Sequence, residues 1–117
     1  MNKIYYLSTC NTCTRIINEL NLPEGFQLQD IKTEPITKSQ IEQMRALTDS
    51  YENLFSKRAR LYKELGLKDK ALSEEDYKNY ILEHYTFLKR PVVLFNNKIF
   101  IGNSKKTVEA AKLAIHE

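Results

Sequence analysis

Lys3-Ile4-Tyr5-Tyr6-Leu7-Ser8-Thr9-Cys10-Asn11-Thr12-Cys13 is the stretch from which the rest of the chain is read. Its first five residues are β-branched and aromatic enough for a strand, Lys3–Leu7. Its last six hold both cysteines of the protein, two residues apart. Beyond them, Thr14 to Leu20 places Ile16, Ile17 and Leu20 on one side of a helix ending near Asn21. The cysteine pair therefore falls where a strand hands over to a helix. The first turn of a helix presents unpaired N–H groups and the positive end of a dipole. Both favour a thiolate, so Cys10 is expected to have a lowered pKa and Cys13 to lie within reach of an adduct on Cys10.

A Cys-x-x-Cys near a β-α-β pattern reads as a redox motif in an intracellular protein. Two other readings stay open. One is half of a zinc site, which needs four ligands; the remaining candidates, His84 and His116, are not at the short spacing of a zinc finger. The other is a pair of inert core thiols, since free cysteine often serves as a small apolar residue.

Composition narrows the class. A chain of 117 residues with 28% charged and 42% hydrophobic residues is that of one ordinary globular domain. It can bury a core without disulfides. The net charge of +3 does not predict direct nucleic-acid binding. The apolar run Ile4–Leu7 is too short for a signal peptide, and no window approaches a membrane span. The expectation is a cytoplasmic protein, away from membranes, with its thiols reduced.

Taken in order, Pro23-Glu24-Gly25 is a turn and Phe26–Ile31 alternates as a second strand with one covered face. Strand, helix and strand with short links make a parallel pair with a crossover helix. Thr37 and Gln40 have the form of a capping box, followed by the stripe Ile41, Met44 and Leu47. Tyr51 to Leu67 is expected to be helical, with Leu54, Phe55, Leu61, Tyr62 and Leu65 apolar and Gly66 ending it. Ser73 opens another helix, with acids in its first turn and a stripe of Tyr77, Tyr80, Ile81, His84 and Leu88. On that stripe His84 reads first as a packed histidine. Val92–Phe95, the turn Asn96-Asn97 and Lys98–Ile101 form a hairpin. Lys106 to His116 is a last helix with Val108, Ala111 and Ile115 buried. The expected fold is α/β and thioredoxin-like: a four-stranded mixed sheet with an inserted helical lobe at about 37–88, all in one domain spanning 1–117.

Four segments in this order carry a resemblance: Ser8 to Cys13, Glu34-Pro35 before the capped helix, Tyr62-Lys63-Glu64-Leu65-Gly66-Leu67, and Leu88-Lys89-Arg90-Pro91. Over nearly its whole length the chain resembles the bacterial arsenate reductase-like family. These are thioredoxin folds that include arsenate reductases and the Spx transcription regulators. The resemblance implies that Cys10 is the nucleophile and that Pro91 is the cis-proline facing it. Independently of the family, Arg90 beside Pro91 is placed to hold a guanidinium near the thiolate and grip an oxyanion. Asn11, Thr12, Arg58 and Pro91 complete the expected substrate contacts, with no metal.

The chain also departs from the pattern. The arsenate reductases carry a histidine where Tyr6 stands, an arginine after the last strand where Ile101 to Ser104 has none, and usually no cysteine at the Cys13 position. Cys13 and Arg58 resemble the Spx branch, yet Asp49-Ser50-Tyr51 lacks the glycine of that branch's polymerase contact. Two functions follow from the resemblance. One is a thiol-dependent oxidoreductase in which Cys10 attacks arsenate or a disulfide and Cys13 resolves the adduct. It has no tightly bound cofactor, and glutathione, glutaredoxin or thioredoxin supplies the reductant. The other is an Spx-like redox-sensing regulator whose partner is RNA polymerase.

Overall fold

The computed structural model describes residues 2–117. The chain divides into two compact units: the first joins 1–34 to 90–117, and the second is 35–89.

The first unit holds one sheet of four strands: β1 (Lys3–Tyr6), β2 (Gln27–Asp30), β3 (Val92–Phe95) and β4 (Lys98–Ile101). Their spatial order is β2-β1-β3-β4. β1 and β2 run parallel, Lys3 opposite Gln27, because α1 (Asn11–Leu20) crosses over between them. β3 is antiparallel to β1 and pairs with β4 as a hairpin. Asn96 and Asn97 both take positive φ, 47° and 62°. That is the conformation a two-residue hairpin loop requires, and asparagine tolerates it. α5 (Lys105–His116) closes the unit, capped by Ser104, whose side chain accepts from the Thr107 N–H.

One sheet face packs Ile4 and Val93 against Ile16 and Leu20 of α1 and Val108, Ala111 and Ile115 of α5. Each large side chain so buried contributes about 1.5–3 kcal/mol. The expected parallel pair, hairpin and buried stripes are all observed.

The alternation in β2 runs the other way from the sequence pattern. Leu28 is 47% exposed while Gln29 is 2% exposed. β2 is an edge strand, so Leu28 has a neighbour strand on one side only. Gln29 stands opposite Tyr5, and its amide donates to the Glu34 carbonyl at 3.0 Å. A buried amide with a partner is tolerated. The opposite sheet face therefore buries Tyr5, Gln29, Val92 and Leu94.

The second unit contains α2 (Lys38–Arg45), α3 (Arg60–Glu64) and α4 (Glu74–Glu83), with single 3-10 turns at Glu52–Leu54, Leu67–Asp69 and Tyr85–Phe87. Thr37 and Ser73 both form full capping boxes, with Gln40 and Asp76. Thr37→Ala is expected to cost about 1 kcal/mol of stability, measured as a shift of the urea midpoint without a change of slope. A shift in the slope instead would place the effect in the unfolded ensemble.

Two expectations fail here. Tyr51 to Leu67 is not one helix. Phe55 is extended and bridges Leu88 antiparallel. The flanking bonds are Ser56 N–H to Phe87 O at 2.6 Å and Lys89 N–H to Leu54 O at 2.9 Å. This pairing buries Phe55 among Tyr62, Tyr77, Tyr80 and Phe87. Only five helical residues follow before Gly66, at φ 65°, ends the segment. The α4 stripe likewise stops short of His84, which is the extended residue after the helix. His84 is exposed, its ring edge-on to Phe87, and Leu88 belongs to the bridge.

Candidate active site

β1 delivers the chain into a tight turn, Leu7 to Cys10, closed by the Cys10 N–H donating to the Leu7 carbonyl at 3.0 Å. Cys10 is the N-cap of α1, with extended φ −98° and ψ 111°. No acidic residue stands in the first turn of α1 to oppose the helix dipole. As a thiol, Cys10 makes no side-chain cap hydrogen bond. As a thiolate it has partners. Desolvation pushes its pKa up, but the Cys13 N–H, the Cys13 thiol, the Thr12 N–H and the Arg90 charge together outweigh it, and the net shift is downward.

Cys13 is buried and shifts the opposite way. Burial is the largest cause and pushes it up to about 11; the Leu7 backbone opposes this, and the hydrogen bond to Cys10 and the Cys10 charge add smaller upward pushes against a still smaller downward one from Arg90. The pair is thus differentiated: half-buried Cys10 is the sulfur more readily ionised, and buried Cys13 holds its proton more tightly, its thiol directed at the Cys10 sulfur. The two thiols, one helical turn apart, therefore differ in how readily each ionises.

Arg90 and Pro91 come from the far end of the chain. The Arg90–Pro91 peptide is cis, and the Pro91 carbonyl accepts from the Gly102 N–H at 2.9 Å. Pro91 shares an apolar recess with Ile16 of α1 and Val108 of α5, which sets the loop before β3 beside the cysteine helix. Asn11 is exposed and Thr12 half-buried in the first turn of α1. Cys10, Asn11, Thr12, Cys13, Arg90 and Pro91 therefore all belong to the first unit. Arg58 does not: it is an exposed residue in the turn before α3, in the second unit. Among the described residues, no three His, Cys, Asp or Glu side chains come together as a metal site. His116, a candidate ligand from the sequence, instead sets its Nε2 2.7 Å from the Leu20 carbonyl.

One contact beside Cys10 has no signature in the sequence. Ser8 Oγ and the Ser8 N–H both donate to the carboxylate of Asp30 at the end of β2. Nothing in the local pattern joins two residues 22 positions apart; only the parallel register, Tyr6 beside Asp30, brings them together.

A family model, that of the ArsC family, matches residues 5–111. The chain belongs to the ArsC family. The curated relatives of this ArsC-family chain include the global transcriptional regulator Spx of Streptococcus mutans, 23% identical, with 94% of this chain and 82% of the relative covered. The Spx of Bacillus subtilis is 22% identical, with 92% and 84% covered. Among solved structures, an arsenate reductase from Vibrio cholerae superposes with a TM-score of 0.78 at 20% identity, covering 97% of this chain and 96% of that one. That likeness establishes the thioredoxin-like fold of the ArsC family for this sheet and its helices. No helix among the described residues is long and apolar enough to cross a membrane.

The opposed shifts in this ArsC-family chain have a direct readout. Alkylation of Cys10 by iodoacetamide, followed against pH, is expected to reach half its plateau below the value of about 8.5 for free cysteine. The rate should rise with pH through that midpoint and level above it. Cys13→Ser retains a hydroxyl donor and should keep the midpoint low, whereas Cys13→Ala removes the donor and should move it upward. Equal midpoints in the two variants would show that the Cys13 proton plays no part.

Proposed function

We propose that this ArsC-family chain is a thiol-dependent oxidoreductase with Cys10 as nucleophile and Cys13 as resolving thiol. The observation that carries the reading is the placement of the two sulfurs at the start of α1, Cys10 half-buried at the N-cap and Cys13 buried one turn on, which pushes their pKa values in opposite directions. Against a disulfide R–S–S–R′, the Cys10 thiolate forms a Cys10–S–S–R bond and releases R′–S⁻. The negative charge on Cys10 is then gone, and with it two of the influences that kept Cys13 protonated. Cys13 gives up its proton to solvent and attacks the Cys10 sulfur, forming the Cys10–Cys13 disulfide and releasing R–S⁻. The substrate disulfide gains two electrons and the protein loses two. Glutathione, glutaredoxin or thioredoxin returns them. The residue order supports this sequence of steps, since the resolving thiol stays inert until the adduct exists.

The Arg90 charge favours the thiolate. Beside Pro91 it is also suited to an anionic substrate, because guanidinium groups pair with oxyanions in a planar, two-bonded way. Arsenate is accordingly a candidate acceptor alongside glutathione disulfide or a protein disulfide. Asn11 and Thr12, at the open first turn of α1, are the nearby polar contacts for it.

A second reading rests on a separate observation: curated relatives of the chain are named global transcriptional regulators. Under it the Cys10–Cys13 disulfide is a switch, and the output is binding to RNA polymerase. A coupled NADPH assay with glutathione and glutaredoxin, run on arsenate and on a mixed disulfide, separates the two when paired with a polymerase pull-down. Turnover without pull-down supports the oxidoreductase. Redox-dependent pull-down without turnover supports the regulator.

A further inference from the structure

The Asp30 carboxylate is fastened to the turn that carries Cys10. Asp30 ends β2, beside Tyr6 at the end of β1. Its Oδ2 accepts from Ser8 Oγ at 2.5 Å. Its Oδ1 accepts from the Ser8 N–H at 3.4 Å and from the Lys32 N–H at 3.1 Å. Ser8 is the second residue of the Leu7–Cys10 turn, and Ser8 and Thr9 are both exposed. The middle of this turn therefore has no apolar packing to fix it. Its anchors are the Cys10-to-Leu7 backbone bond and the two Ser8 bonds to Asp30.

We propose that Asp30 is a positioning residue for Cys10: through Ser8 it holds the Leu7–Cys10 turn so that the Cys10 sulfur stays over the N–H groups of Thr12 and Cys13. The proposal rests on the reading of Cys10 as the nucleophile. An ionised carboxylate suits this task because charge-assisted hydrogen bonds are shorter and roughly twice as strong as neutral ones. Asp30 is held below the usual carboxylate value chiefly by the Ser8 hydroxyl; desolvation opposes this, and the Lys32 and Ser8 N–H groups add smaller downward pushes. It is thus charged at neutral pH. The sulfur's partners lie on α1, while Asp30 lies on β2, so a loosened turn swings the sulfur off the helix axis without unravelling the helix. The effect should appear in Cys10 reactivity well before it appears in stability.

The experiment is a double-mutant cycle read by Cys10 alkylation against pH, with thermal melting alongside. Asp30→Ala and Ser8→Ala are each expected to raise the midpoint and slow alkylation at neutral pH by about three- to tenfold. The double variant should be no slower than Asp30→Ala alone, because the Ser8 hydroxyl has nothing to hold once the carboxylate is gone. Asp30→Asn, which keeps an acceptor oxygen, should recover part of the loss. If Asp30→Ala does not fold, the cycle is run with Asp30→Asn and Ser8→Ala in its place. Unchanged midpoints with only a lowered melting temperature would overturn the proposal, as would fully additive losses in the double variant. Should Cys10 of the unaltered protein titrate like free cysteine, the nucleophile reading falls, and the differences among the variants still decide whether Asp30 holds the turn.

Discussion

Cys10→Ser is expected to lower thiol-disulfide turnover by at least about 10³-fold, leaving the fold intact. A serine hydroxyl is of similar size but is not ionised near neutral pH, so the N–H groups of Thr12 and Cys13 and the Arg90 charge have no anion to stabilise. Cys13→Ser should behave differently. It leaves the attack at Cys10 in place and removes the step that clears the adduct. The first turnover proceeds, and the protein then accumulates as a mixed disulfide on Cys10. Excess free glutathione should rescue this variant and not Cys10→Ser. Intramolecular attack normally outruns such rescue because a thiol one helical turn away has a high effective concentration. Steady-state rates of the three proteins at two glutathione concentrations make the comparison. If Cys13→Ser keeps full turnover without added thiol, Cys10 works alone and Cys13 is not the resolving group.

The largest effect on stability is expected at Phe55. Its side chain is 1% exposed, with ring centroids of Tyr77 and Phe87 at 4.9 and 5.0 Å and Tyr62 and Tyr80 farther out. Phe55→Ala should cost about 3–5 kcal/mol, the lost transfer free energy plus the cavity left behind. For a chain of this size that corresponds to roughly 10–30 °C in melting temperature. Phe55→Leu, which keeps most of the volume, should cost markedly less. A loss under about 1 kcal/mol for the alanine variant would mean that the surrounding aromatics collapse into the space and do not depend on Phe55 for their packing.

Phe55 also marks where sequence reading ends. Local signals carried the elements that local chemistry controls. Thr37 with Gln40 announces a helix start because the side chains that satisfy the first N–H groups lie within three residues, and Ser73 followed by three acids announces another because the helix dipole favours acids in the first turn. Asn96-Asn97 announces the hairpin because both must take positive φ. The strand, cysteine pair and helix at the start of the chain follow from a change of period across a few residues. Phe55 has no such signal. Its extended conformation is imposed by Leu88, 33 positions later, and the composition of Tyr51–Leu67 suits a helix equally well. Gln29 is a second case. Alternation in Phe26–Ile31 marks a half-covered strand but assigns the wrong face, because an edge strand leaves Leu28 exposed while the Glu34 carbonyl gives the Gln29 amide a buried partner.

The candidate site divides along the same line. Cys10, Cys13 and the first turn of α1 could be read from spacing alone. Arg90 stood out as a charged residue before a proline and Pro91 through the family resemblance, and their place beside α1 comes from the β1–β3 pairing. The Ser8–Asp30 bond depends on the β1–β2 register and left no trace in either segment. The opposed shifts of the two sulfurs were legible only in part. A helix start predicts a lowered Cys10, but that Cys13 is driven upward requires knowing that it is buried.

The central claim is that Cys10 takes the adduct and Cys13 removes it. Peptide mass mapping of Cys13→Ser, treated with oxidised glutathione at neutral pH and quenched in acid, tests it most directly. The account predicts one glutathione on the Cys10 peptide of the variant, and a Cys10–Cys13 disulfide with no retained glutathione in the unaltered protein treated the same way. An unmodified Cys10 in the variant, or an oxidised unaltered protein without the Cys10–Cys13 bond, would contradict it.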